Sequence, residues 1–474
     1  MSPIIIMTIG VAESLTPVKA NIPINSSGNA SPKALLSRAH PDLLGHIPNK
    51  APKNMISFHY LNSFHYLCGI IQNVVFDSCL SICISGMKYC SHCGHPNQDE
   101  DLFCSNCGKP LSPSKPNNGA GKRSNRSSRK KGGESWIDSL NEYVGNDQPA
   151  DLNWRVLFSD VFKSHTTEEA EEIFICGTKT TTPDASCVSE DWPHPWLYSR
   201  VLLMFAVTFA LLWICVNVFG NSNAFPGMIV IGSFAVPLST MILFMEANVW
   251  RNVSMYAVLT TFFVGGCASL VATLLLFSFY SVEENNFFGA FMVGLIEEIG
   301  KAVIVLAVLR RLGKLSILTG LLIGACVGAG FAAFESAGYA LQPFIRFQQI
   351  AGYAAAYGEN VNGHQIMDVI NNIIFLRAVL SPGGHVAWAA ISGAAFVIAA
   401  KSNGALDSSL FTESSFLRLF AIPVILHCLW DSPLATWIND ELFPYAGYLA
   451  LVVVVWIVVL ILFNMGLAEV SKSR

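Results

Sequence analysis

Eight long apolar stretches follow residue 196, and they constrain the fold more than any other feature of this sequence. They lie at residues 197–218, 226–247, 255–280, 287–308, 315–341, 370–400, 416–437 and 443–467. Each has the roughly 20 residues that a helix needs to cross a bilayer, where backbone groups must be hydrogen-bonded within the chain. With 52% apolar and 13% charged residues, the chain is predicted to be an all-α polytopic membrane protein of about eight transmembrane helices.

Charged residues between these stretches indicate the orientation of the chain. One side of the predicted membrane carries the acidic residues Glu283, Glu284, Asp440 and Glu441. The other side carries the basic residues Arg251, Arg310, Arg311, Lys314, Lys401, Arg418, Lys472 and Arg474. Because basic loops stay in the cytoplasm, and because the number of spans is even, we expect both termini to be cytoplasmic.

Two short cysteine motifs lie between residues 90 and 107. Cys90 and Cys93 form one CxxC pair, Cys104 and Cys107 form the other, and each pair is followed by glycine. Such pairs suit tetrahedral zinc, because each loop brings two thiolates to one side of the ion. Four thiolates leave no position for water, so we expect structural zinc in a small ribbon at residues 88–111, on the reducing side of the membrane. Two redox-active CxxC pairs are the alternative.

The rest of the N-terminal region is less informative. Residues 1–86 stay unassigned. We expect translation to start at Met87, directly before the cysteine motifs. A ninth membrane span is the alternative for the apolar stretch at 67–87, which Asp77 interrupts. Residues 112–133 are predicted to form a basic flexible linker. It has no aromatic side chains and the net charge of the chain is −4, so we expect no nucleic-acid partner. Residues 134–196 are predicted to form a cytosolic helical segment, in which residues 164–169 resemble the capped start of a helix.

Ionisable side chains lie well inside the predicted spans, where a charge costs about 2.5–3.5 kcal/mol at a helix centre. They are Glu297, Glu298, Lys301, Glu335, His385, His427 and Asp431. Helical spacing puts Lys301 on one face with Glu297 and Glu298. With a rise of about 1.5 Å per residue, Glu298, Glu335 and His427 lie about 16, 9 and 15 Å from the outer ends of their spans. We therefore expect one shared polar pocket, which His385 joins.

Carboxylates and imidazoles at one depth are suited to activating water. Two histidines and a glutamate can hold a metal ion with an open position, or a glutamate can take a proton from a water that histidine orients. Small residues such as Gly324 and Gly328 would leave room for that water. The alternatives are buried ion pairs that only lock helices together and a proton or ion pathway.

In type and order these residues resemble the PrsW family of intramembrane proteases, which is similar to the CAAX prenyl endopeptidases. The four matching motifs are Glu297-Glu298 with Lys301, Phe331 with Glu335, His385, and His427 with Asp431. Each motif alone is weak, but four in order on separate spans are specific. The resemblance covers residues 197–466, and the zinc ribbon is a frequent companion of the protease core.

The resemblance implies an intramembrane endopeptidase domain at residues 197–468. Its substrates would be membrane-anchored proteins, cleaved in stress or signalling proteolysis such as that of an anti-sigma factor, in the plasma membrane of a prokaryote. Further partners would be the lipid bilayer and a cytosolic protein bound by the ribbon. A non-proteolytic transporter or signalling scaffold with the same helical bundle is the alternative.

The implied catalytic residues are Glu297, Glu298, Glu335, His385 and His427, with Lys301 and Asp431 in support. Glu297 or Glu298 would act as the general base. Two mechanisms stay open at this point: a catalytic zinc ion held by His385, His427 and Glu335, and a metal-free reaction of glutamate with histidine.

Overall fold

A computed structural model describes residues 87–89, 96–98, 135–184, 187–279, 286–313, 316–356, 364–441 and 445–472. The chain divides into two compact units, residues 9–111 and the remainder. In the first unit, strands β1 (Met87–Tyr89) and β2 (Pro96–Gln98) pair antiparallel, with Lys88 opposite Asn97. The predictions for residues 1–86, for Cys90, Cys93, Cys104 and Cys107 and for the linker at 112–133 lie outside the described residues.

The second unit is helical throughout its described residues, which confirms the predicted all-α class. Its helices are α1 (Trp136–Val144), α2 (Thr167–Ile175), α3 (Leu197–Asn217), α4 (Phe225–Ala247), α5 (Met255–Phe279), α6 (Phe287–Leu312), α7 (Ile317–Ala356), α8 (His364–Leu380), α9 (His385–Asn403), α10 (Ser414–Asp431), α11 (Pro433–Glu441) and α12 (Ala446–Lys472). One π-helical turn, Thr261–Gly265, interrupts α5. A 3-10 helix, Trp154–Phe158, lies between α1 and α2.

Seven helical segments in the described part of the chain are long and apolar enough to cross a membrane. The chain is therefore an integral membrane protein. The remaining predicted span corresponds to α6, whose 26 residues are enough to cross but whose middle carries Glu297, Glu298 and Lys301. Those charged residues distinguish α6 from the seven more apolar segments.

Three predicted spans differ from the observed helices. Helix α7 continues to residue 356, beyond the predicted end at 341. The sixth span breaks into α8 and α9 at the 3-10 turn Ser381–Gly383, where proline and glycine disfavour a continuous helix. The seventh ends at Asp431 because Ser432 is extended, with ψ 156°, and the residue before a proline is disfavoured in helical conformation. Pro433 then begins the short helix α11.

A stripe of glycines packs α7 directly against α9. Gly320, Gly324 and Gly328 recur every four residues and so lie on one face of α7. A Cβ at Gly324 would overlap the carbonyl of Ala389, and a Cβ at Gly328 would overlap the carbonyl of His385. Small residues at this spacing let helix backbones approach closely within membranes. The stripe therefore fixes where α9, and with it His385, lies relative to α7.

The start of α3 is held by residues distant in sequence. Glu246, at the end of α4, accepts hydrogen bonds of 2.9 Å from the backbone N–H groups of Trp196, Leu197 and Tyr198. A carboxylate at a helix N-terminus satisfies free donors and favours the positive end of the helix dipole. Helix α2 begins as predicted, with a capping box between Thr166 and Glu169. The segment before α3 is thereby joined to the helical bundle.

The glycine stripe gives a prediction for stability. We expect Gly324→Ala to destabilise the protein by about 1–3 kcal/mol, because the new methyl group must push two backbones apart. Gly338→Ala on the same helix is the matched control, since a Cβ there meets nothing within 4 Å and alanine favours the helix. Thermal unfolding in detergent checks both variants, and equal melting temperatures for the two would contradict the role of the stripe.

Candidate active site

Three charged residues of α6 form the base of a polar cluster inside the bundle. The Nζ atom of Lys301 lies 2.7 Å from Oε1 of Glu298 and 3.7 Å from Oε2 of Glu297. Lys301 and Glu298 are completely buried, and Glu297 is 7% exposed. An unpaired charge at this depth would be costly to hold, so Lys301 and Glu298 stabilise each other.

Lys301 also joins α6 to α7 and α9. Its Nζ atom lies 2.8 Å from Nδ1 of His385 and 4.4 Å from the centre of the Phe331 ring. An ammonium group can only donate, so Nδ1 of His385 accepts this hydrogen bond. The other ring nitrogen, Nε2, then carries the proton and donates it to Oε2 of Glu335 at 3.0 Å. His385 is thus held in one tautomer with Nδ1 facing the α6 carboxylates.

His427 on α10 is held in a similar way from the opposite side. Its Nδ1 atom lies 2.9 Å from Oε1 of Glu298, and since a carboxylate accepts, Nδ1 carries the proton. Its Nε2 atom faces Oδ2 of Asp431 at 3.3 Å and Oε2 of Glu297 at 3.7 Å. The ring of Trp388 stacks on His427 with centroids 4.4 Å apart. The structure therefore brings all seven residues singled out from the sequence into one cluster.

Arg377 on α8 is a member of the cluster that sequence reasoning missed. Its guanidinium pairs with Glu335, its Nε atom donates to Oγ of Ser336 at 2.8 Å, and it lies 4.4 Å from the centre of the Tyr339 ring. The signal was present, because Arg377 lies inside the predicted sixth span, where a guanidinium needs a counter-ion. Glu335 is that counter-ion, and the two side chains compensate each other's charge.

A small cavity opens onto the cluster. Its volume is about 100 Å³, which is room for several water molecules. Its polar lining consists of Glu297, Glu335, Arg377, His385, His427 and Asp431, and Phe277 and Trp430 are among its aromatic residues. A larger cavity of about 440 Å³ lies where the segment before α3 meets the end of α4. We assign the chemistry to the smaller cavity because it contains the paired carboxylates and imidazoles.

The cluster fits a divalent metal ion. Glu297, His385 and His427 each offer a ligand atom, and these atoms lie within 4.8 Å of one another. Each imidazole gives one nitrogen to a carboxylate and turns the other towards Glu297, the arrangement typical of metal-binding histidines. Oε2 of Glu297 is buried and makes no hydrogen bond. This group contains Glu297 where the sequence prediction had Glu335, which is instead engaged by Arg377 and His385.

The formal charges support the same interpretation. Four carboxylates, those of Glu297, Glu298, Glu335 and Asp431, face two basic side chains, Lys301 and Arg377. With neutral imidazoles the cluster carries two excess negative charges in an apolar surrounding. A bound divalent cation would neutralise them.

Fold and cluster together define a class, a polytopic membrane protein with a buried, hydrolase-like site of carboxylates and imidazoles. Residues 249–462 match the PrsW family of intramembrane metalloproteases, and residues 89–111 match a zinc-ribbon domain. The matched residues lie within the membrane domain of this chain, and the matched family is one of peptidases. The match begins after α4, so the first two spans lie outside it. Comparisons with curated proteins and with solved structures gave no match.

The partly buried pair of Arg377 and Glu335 gives a second prediction. Arg377→Gln leaves a carboxylate that is 13% exposed without its counter-ion, and we expect a loss of about 1–3 kcal/mol in stability. Adding Glu335→Gln should restore part of that loss, because two neutral amides remain. Thermal unfolding measures the double-mutant cycle, and Arg346→Gln, at an exposed position of α7, is the control. An Arg377→Gln variant as stable as Arg346→Gln would rule out the pairing.

Proposed function

We propose that the cavity at Glu297, His385 and His427 hydrolyses peptide bonds of membrane-anchored protein substrates. The observation that carries this proposal is the convergence of these three side chains on a cavity with room for several water molecules, surrounded by apolar helices. A peptide bond in the bilayer is shielded from bulk water, so its hydrolysis requires a polar chamber within the protein. Carboxylates and imidazoles are the groups that can move the proton of the attacking water.

We assign a catalytic zinc ion to Glu297, His385 and His427. When bound, zinc supplies a lowered pKa for a coordinated water and polarises the substrate carbonyl. For Nδ1 of His385 to bind a cation, the hydrogen bond that it accepts from Lys301 must break. The ion pair of Lys301 with Glu298 does not depend on that hydrogen bond. The ribbon cysteines would hold a second, structural zinc ion in the cytoplasm.

Two further carboxylates orient the ligands. Glu298 accepts the Nδ1 proton of His427, and Glu335 accepts the Nε2 proton of His385. Such partners fix the tautomer and the ring direction of a ligand, and they raise its basicity. Lys301 and Arg377 compensate the charges of these two carboxylates, which could not otherwise stay ionised in the membrane.

Asp431 is the carboxylate best suited to accept the proton of the water. It lines the cavity, and among the described residues no Lys or Arg lies within ion-pair distance of it. Its Oδ2 atom lies 3.3 Å from Nε2 of His427, the nitrogen that faces the assigned metal position. Asp431 would take the proton from the water and deliver it to the departing amine. In a metal-free reaction Glu297 would take this role instead, because it lines the same cavity.

The biological setting is the finer part of the proposal. We place the protein in the plasma membrane of a prokaryote with both termini in the cytoplasm, as the loop charges favour. Its substrates would be membrane-anchored regulators, such as an anti-sigma factor, in stress or signalling proteolysis. The zinc ribbon would contact a cytosolic partner and so bring substrate recognition to the cytoplasmic side.

Zinc content tests the ligand assignment. The full-length protein should contain about two zinc ions per chain, one in each site, and Glu297→Gln should contain about one. The same variant should lose cleavage of a co-expressed library of single-span reporters. Glu171→Gln, at an exposed position of α2, is the control for both measurements. Wild-type protein with one zinc ion and full cleavage would point to the metal-free reaction.

Asp431→Asn separates proton transfer from metal binding. We expect cleavage to fall by about 100-fold or more, because general-base catalysis contributes about 10²–10⁴-fold, while the zinc content stays unchanged. Asp368→Asn on α8, which is exposed, should leave both unchanged. If Glu297→Gln and Asp431→Asn both cleave normally but abolish a proton flux in proteoliposomes, the chain is a transporter and the protease proposal fails.

A further inference from the structure

Three large aromatic side chains between α1 and α2 face outward. Trp154 is 55% exposed, Phe158 is 53% exposed and Phe162 is 95% exposed. The rings of Trp154 and Phe158 contact each other, with centroids 6.2 Å apart. We call these three residues the aromatic patch. Burying one such side chain yields about 1.5–3 kcal/mol, and clustered exposed aromatic residues mark a surface that meets a partner or a membrane.

Hydrogen bonds fix the patch beside the first turn of α3. The hydroxyl of Tyr198 donates to the carbonyl of Leu157 at 3.0 Å, and Nη2 of Arg200 donates to the carbonyl of Lys163 at 3.0 Å. Tyr198 and Arg200 are the second and fourth residues of α3. The chain that carries the patch therefore lies level with the beginning of a membrane-spanning helix.

Helix α3 exposes apolar side chains along most of its length. Leu197 and Tyr198 are the buried residues of its 21, and the rest of the helix has apolar residues on its outer surface. The patch thus lies at the end of a helix whose exposed apolar surface suits contact with the bilayer.

We propose that Trp154, Phe158 and Phe162 insert into the interfacial layer of the bilayer next to α3 and anchor the preceding segment in the membrane plane. Tryptophan and other amphipathic aromatic residues favour this layer, where their rings meet the acyl chains and their polar edges meet water. Arg155, whose guanidinium lies 5.7 Å from the Trp154 ring, can extend its charged end to the lipid phosphates, whereas Lys163 is paired with Asp160 at 3.0 Å. The aromatic patch therefore has one basic side chain, that of Arg155, beside its apolar rings.

The anchor has a consequence for the cytosolic side of the protein. The helical segment of residues 134–196 would then lie partly on the membrane surface rather than free in the cytoplasm. Its other end follows the linker that leads from the zinc ribbon.

Site-specific fluorine labelling of the full-length protein in phosphatidylcholine nanodiscs tests the anchor. Trifluoromethylphenylalanine replaces Phe162 in one sample and Glu171, the exposed control in α2, in another. A nitroxide-bearing lipid and a water-soluble gadolinium chelate are compared as relaxation agents. We expect several-fold stronger relaxation by the lipid agent than by the chelate at position 162, and the reverse at position 171.

The other outcomes overturn the proposal. Strong relaxation at position 162 by the chelate alone would place the ring in water. Weak relaxation by both agents would place it in a protein interface, with a second copy of this chain or another partner. Because Phe162 is almost fully exposed and the label preserves its ring, misfolding is not expected, and an unchanged melting temperature checks this. The result does not depend on proteolysis, so the anchor and the proposed activity can fail separately.

Discussion

The buried ion pair of Lys301 and Glu298 is the interaction on which the rest of the membrane domain depends. Both side chains lie on α6 and are completely enclosed, so neither could stay charged there without the other. Through its remaining hydrogen bond Lys301 reaches His385 on α9, and Glu298 reaches His427 on α10. One pair on a single helix thus orients a histidine from each of two others, and the cluster is assembled around it.

Close packing of the α7 and α9 backbones makes the contact between Lys301 and His385 possible. His385 begins α9, and its carbonyl lies directly against Gly328 of α7. Any side chain at position 328 would push the start of α9 away from α7, and the contacts of His385 with Lys301 and Glu335 would lengthen. The glycine stripe therefore acts on the site as well as on the fold. Membrane helices gain little from apolar burial against each other, which explains why small residues carry so much of the positioning.

Sequence reasoning predicted the helical class, the capping box at Thr166, and the residues of the cluster, because these follow from periodicity, local hydrogen bonding and the cost of charge in lipid. It could not determine which carboxylate faces which nitrogen, since that depends on how each helix is rotated about its axis. Glu335 was therefore expected among the metal ligands, and its pairing with Arg377 was not foreseen. Pro433 indicated that the helix ends after Asp431. The apolar residues that follow nevertheless extended the predicted span beyond the end of α10.

The four carboxylates of the cluster are not equivalent, and their difference follows from where the two basic side chains lie. Lys301 is 1 Å closer to Glu298 than to Glu297, at 2.7 and 3.7 Å, and Arg377 is committed to Glu335. Glu298 and Glu335 are thus compensated and serve the histidines. Glu297 lies 3.7 Å from the Lys301 ammonium and lines the cavity, and Asp431 lies beside His427 at the same cavity. The uncompensated charge is concentrated on the side that faces the cavity, which is where a cation and a reacting water must lie.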